Sequence, residues 1–120
     1  MPQITVEYSA ELTDAFDRRG FTLALHPLAA DLLDGPLDDF KTRFYASGES
    51  VIGEGSGSNA MIHVELAILS GRTPETKQEL GRTALETASR YLAPVPGLTV
   101  QVTVEVRDID RVNYHKRVVV

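Results

Sequence analysis

The sequence predicts an α+β domain in which two tandem βαβ units form one four-stranded mixed sheet with two helices on one face. Three observations lead there. A motif recurs, Ile4-Thr5-Val6-Glu7 returning as Ile62-His63-Val64-Glu65, an offset of 58 positions. Four segments alternate apolar and polar residues at the period of a half-buried strand. In each half, a segment with helical spacing separates two such strands.

The first strand sets Ile4, Val6 and Tyr8 on one face against Gln3, Thr5 and Glu7 on the other. A helix follows, roughly Thr13 to Leu33, with Gly20 and Pro27 inside it. An internal proline costs a helix about 3 kcal/mol, so a kink or break is expected near His26. Gly35-Pro36 closes the segment. Phe40, Thr42 and Phe44, alternating with Lys41, Arg43 and Tyr45, make the second strand. The glycine-rich run from Gly53 to Asn59 lacks the Lys-Ser/Thr step of a phosphate loop and precedes a strand, so it reads as a flexible linker.

In the second half, Ile62, Val64, Leu66 and Ile68 alternate with His63, Glu65 and Ala67. Thr73 then suits a helix cap, Pro74 the first helical position, and Glu75 the positive end of the helix dipole. Leu80, Ala84, Ala88 and Leu92 recur at spacing four until Pro94 and Pro96 stop the run. Leu98, Val100, Val102, Val104 and Val106 form the clearest strand. One domain is expected over residues 1–120, with pseudo-repeats at approximately 1–52 and 60–112 and a linker at 53–59. Parallel strands within each unit require right-handed crossovers. The face away from the helices, with Thr5, Glu7, His63, Glu65, Gln101 and Thr103, can meet water or pack with copies of itself.

A formal net charge of -5 argues against nucleic-acid binding, which needs clustered Lys and Arg to displace counterions. His115-Lys116-Arg117 reads as a solvated terminus. With no cysteine, disulfides, thiolate nucleophiles and Cys-based zinc sites are excluded. No run approaches the ~20 apolar residues of a membrane helix, and the first residues lack the basic start and apolar stretch of a signal peptide; a cytoplasmic protein without membrane contact is expected. His26, His63 and His115 show no ligand spacing, so no metal site is expected. A Gly-x-Ser-x-Gly pattern, which would suggest a serine hydrolase, is absent; Gly55-Ser56-Gly57 sits in the linker.

Pro2 offers a different chemistry. Aminopeptidase trimming of Met1 before a small residue exposes a secondary amine. By strand parity Pro2 falls on the side of Ile4, Val6 and Tyr8, where burial disfavours the charged ammonium. A free α-amino group titrates near ~7.7–8.0, so a modest lowering leaves a neutral base at neutral pH.

These residues form part of a longer pattern: Met1-Pro2-Gln3-Ile4 at the start, Phe40-Lys41-Thr42-Arg43, Leu69 through Gly71-Arg72-Thr73-Pro74 to Lys77, and Val112-Asn113-Tyr114-His115-Lys116 near the end. In this order the chain resembles the 5-carboxymethyl-2-hydroxymuconate Δ-isomerase family of the tautomerase superfamily over nearly its whole length. Its second half is also similar to 4-oxalocrotonate tautomerase, where a Gly-Arg step likewise ends a strand and opens a helix. The resemblance implies the tautomerase fold, a homotrimer, and a pocket near the N-terminal proline at each subunit boundary. It implies an isomerase of aromatic-compound catabolism, free of metal or organic cofactor, that moves a proton between carbons of an unsaturated keto or enol dicarboxylate. Pro2 would be the base and Arg72 would hold a substrate carboxylate, for which a planar guanidinium is suited. Lys41 stands where the family pattern has Arg; either Lys41 or Arg43 can bind the second carboxylate or stabilise the dienolate. Tyr114 can wall the pocket or pack against a neighbouring subunit. Two other readings share this fold: a non-catalytic trimeric binding or structural module, and a related tautomerase or dehalogenase.

Overall fold

Period-2 burial organises the sheet in a computed structural model that describes all residues 1–120. In β1 (Gln3–Ser9), Ile4, Val6 and Tyr8 are buried while Gln3, Thr5 and Glu7 face away from the core. β2 (Lys41–Ser47) pairs parallel with β1, and β3 (Asn59–Leu69) pairs parallel with β4 (Thr99–Ile109). An antiparallel β1/β3 pairing joins the halves, giving the order β2-β1-β3-β4. The two βαβ units and the mixed sheet are as expected. Helices α1 (Arg18–Leu33) and α2 (Pro74–Arg90) cover one face. Phe21, Leu25, Ala29 and Leu33 of α1, with Leu80, Ala84 and Ala88 of α2, share a core with the inward residues of β1 and β3.

The first helix departs from expectation at its start. A 3-10 turn (Ala10–Leu12) follows β1, and α1 begins only at Arg18. Asp17 is the cap: its carboxylate accepts from the Gly20 backbone N–H at 2.9 Å. The reason lies in tertiary structure, because Phe16 bridges Leu92 and the Asp17 N–H donates to the Tyr91 carbonyl at 2.9 Å, holding Phe16 and Asp17 outside the helix. Gly20 is required there; an added Cβ would collide with the Asp17 carboxylate and lie 2.8 Å from the Tyr91 ring.

Nor does α1 break near His26, for it runs through Pro27 to Leu33. Pro27 sits on the exposed side, as does Leu23, whose carbonyl loses its helical donor. Four fully or nearly fully buried residues at spacing four bind the opposite side to the sheet. Burial of large apolar side chains is worth about 1.5–3 kcal/mol each, which outweighs the local penalty of proline. Two smaller differences concern boundaries: Leu92 lies beyond the end of α2, and the connection between β2 and β3 spans 48–58.

Strand directions gather the chemistry at one end of the sheet. Gln3 pairs with Lys41 at the start of β2 and with Ala67 near the end of β3, while Leu69 pairs with Ile109 at the end of β4. The turns after β3 and β4 therefore converge on the start of β1.

Candidate active site

Pro2 is buried immediately before β1, and its carbonyl accepts from the Lys41 backbone N–H at 3.4 Å. That contact fixes the beginning of the chain beside the 3-10 turn Leu37–Asp39. Lys41 Nζ folds back to the Asp39 carbonyl at 3.0 Å. Arg72 follows Gly71, whose φ of 114° favours glycine. Its half-buried guanidinium donates to the Leu33 carbonyl at the C-terminal end of α1. A third cation, Arg111, enters from the turn after β4 and donates through Nε (3.1 Å) and Nη2 (2.9 Å) to the Ser70 carbonyl.

The amino group of Met1 reports the electrostatics of this corner. Its pKa lies below the ordinary value of 8.0, chiefly because burial disfavours the ammonium form. Asp39 opposes that lowering, whereas the positive charges of Arg72, Lys41 and Arg111 add to it. Asp39 itself is held below the usual carboxylate range, first by the hydrogen bond from Lys116, against a desolvation effect, and further by the charges of Lys116, the amino terminus and Lys41. Lys116 Nζ lies 2.7 Å from Asp39 Oδ1 and 3.9 Å from Met1 Sδ. The arrangement can keep an amine neutral and draw an anion to it.

The residues singled out in the sequence fall into two groups. Pro2, Lys41 and Arg72 meet at the corner just described. Arg43 is exposed on the outer sheet face and donates to the Gln3 side-chain oxygen; Gln3 Nε2 in turn donates to Tyr114 Oη at 2.9 Å. Gln3 thus links Arg43 to Tyr114 at the rim. Sequence reasoning missed Asp39, Arg111 and Lys116. Lys116 is not simply part of a solvated terminus, because its ammonium is paired with Asp39 across 77 positions. Arg111 belongs to no local motif, and although Lys116 ends the Val112–Lys116 segment of the family pattern, only the convergence of strand ends reveals the pairing with Asp39.

No cluster of three or more His, Cys, Asp or Glu side chains is positioned to hold a metal ion. The largest concavity, about 680 Å³, is lined by Thr13, Arg18 and Phe44 among others and lies away from Pro2. None of the concavities is lined by Pro2, Lys41 or Arg72.

Comparison with known proteins agrees with this fold. The fold matches a 5-carboxymethyl-2-hydroxymuconate isomerase from Deinococcus radiodurans R1 (TM-score 0.81, 21% identity, 97% of this chain and 88% of that one). It also matches a 5-carboxymethyl-2-hydroxymuconate delta-isomerase (TM-score 0.83, 20% identity, 98% and 88%). A fused 4-OT described as a wild-type symmetric trimer is similar as well (TM-score 0.72, 23% identity, 93% and 89%). No curated protein matches the sequence significantly. No helix is long and apolar enough to cross a membrane. Residues 2–119 match the family model for 5-carboxymethyl-2-hydroxymuconate isomerase, and the chain therefore belongs to that isomerase family of the tautomerase superfamily.

Proposed function

We propose that the chain, once Met1 is removed, is an isomerase that moves a proton between carbons of an unsaturated keto or enol dicarboxylate, with the Pro2 amine as base. The observation that carries this reading is the buried Pro2 just before β1, next to a Met1 amino group whose pKa is lowered by burial and by the charges of Arg72, Lys41 and Arg111 against that of Asp39. Pro2 nitrogen accepts a proton from a carbon of the keto form or from the hydroxyl of the enol form, and the electron pair left behind delocalises over the conjugated chain and its oxygen as a dienolate. The ammonium so formed returns the proton at a second carbon. Proton and electrons balance within the substrate.

Arg72 holds one carboxylate in this scheme. Its bond to the Leu33 carbonyl uses one donor and leaves others for a planar partner. Lys41, nearer the amino terminus than the rim residue Arg43, stabilises the dienolate as charge develops. A trimer completes the site. Its support is the uncovered sheet face carrying Thr5, Glu7 and His63, and the symmetric trimer formed by the fused 4-OT of like fold.

The test is ketonisation of 2-hydroxymuconate, followed by absorbance, beside a monocarboxylate analogue, using Met1-free protein sized by sedimentation. Turnover of the dicarboxylate by a three-chain species, with kcat/KM at least about 10-fold above the analogue, is expected. Absence of turnover by a correctly processed trimer would overturn the reading in favour of a binding module.

A further inference from the structure

Asp39 poses a problem for a base at Pro2. Its side chain is only 17% exposed, it lies two residues before the Lys41 N–H that holds the Pro2 carbonyl, and its negative charge acts on the neighbouring Met1 amino group. A carboxylate so placed is the natural counter-ion of an ammonium group, and such a pair would hold the proton that a base must lack. The C-terminal segment supplies another cation. Tyr114 Oη is anchored by Gln3 Nε2 at 2.9 Å, and two residues later Lys116 Nζ reaches Asp39 Oδ1 at 2.7 Å.

Resting on the isomerase reading above, we propose that Lys116 is a positioning residue of the amino-terminal site: it occupies the Asp39 carboxylate and so prevents that carboxylate from becoming the counter-ion of the Pro2 amine. The charged groups that act on the Met1 amino group, one residue before Pro2, are Asp39 from the turn before β2, Lys41 from β2, Arg72 from the turn after β3 and Arg111 from the turn after β4. Asp39 is the one anion among them, and it favours the ammonium form where the cations oppose it. Lys116 touches Asp39 and the Met1 side chain, so it acts through the carboxylate and not on substrate. The C-terminal segment thereby becomes part of the machinery that sets the base.

Charge balance makes the test specific. The Pro2 amine is titrated by NMR in Met1-free full-length protein carrying labelled proline, in the absence of substrate. Lys116→Met leaves Asp39 uncompensated, and its amine pKa should rise by on the order of half a unit or more. Asp39→Asn should lower it. The double variant removes one charge of each sign and should return it close to the parent value, and Lys116→Arg should match the parent. If the isomerase reading holds, the acid limb of the pH profile for kcat/KM follows these shifts in the same directions. An amine pKa unmoved by Lys116→Met, or moved equally by Lys116→Arg, overturns the proposal. Because the titration needs no turnover, an inactive protein with the predicted shifts would refute the isomerase reading while leaving the positioning role intact.

Discussion

His26 illustrates how one side chain couples α1 to the sheet. Its Nε2 lies 2.7 Å from Thr42 Oγ1, and its ring packs at 5.9 Å from that of Phe40. Burial lowers its pKa below the ordinary 6.5. The unfolded chain therefore takes up a proton more readily than the folded one. Stability from this source is fully present above the unfolded histidine pKa and is lost as pH falls through the lower folded value. Urea unfolding midpoints measured downward from pH 7 should show that decline, and His26→Gln should flatten it. An equal slope in parent and variant would rule out His26 as the cause. At this same scale Pro2, Lys41 and Arg72 could be named from the sequence as one candidate site, because a known family pattern orders them. Asp39 could not, since an acidic residue in a turn looks like any solvated one until Lys116 is seen against it.

The strands were readable because burial on a pleated sheet alternates in the same way as the residues do, as in Ile4, Val6 and Tyr8 or Ile62, Val64 and Leu66. The start of α2 was readable because Thr73 caps it through the Thr76 N–H at 3.2 Å, a purely local interaction. The limits of α1 were not. Both Thr13 and Asp17 can cap, and the choice is made by contacts with Tyr91 and Leu92, which lie far along the chain. Gly20 records that choice. Replacing a helical glycine by alanine ordinarily gains up to about 1 kcal/mol, but Gly20→Ala should lose about 1–3 kcal/mol through overpacking against Asp17 and Tyr91. A lower urea midpoint is the expected result. A gain in stability would mean that the junction between α1 and the end of α2 is looser than described.

At the scale of the whole molecule, duplication of a βαβ unit explains why one end of the sheet is so rich in charge. Antiparallel joining of two parallel pairs brings two strand starts and two strand ends together. Three cations and one anion from three separate stretches, Asp39 with Lys41, Arg72 and Arg111, then act on the amino terminus. The architecture was legible in the repeat, but this convergence was legible only in part: Arg111 and Lys116 come from beyond the last strand, where no periodicity guides the reader. The outer sheet face, with Glu7, His63 and Glu65, lacks a helical cover and is the surface that a trimer would bury.

The central claim is that the Pro2 nitrogen accepts the substrate proton. It is tested most directly by comparing 2-hydroxymuconate ketonisation between two forms of the same chain, one ending in free Pro2 and one retaining Met1, each identified by intact mass. In the second form the proline nitrogen is an amide and has no basic lone pair. The account predicts a loss of at least about 100-fold in kcat when Met1 is retained; equal turnover by the two forms would contradict it.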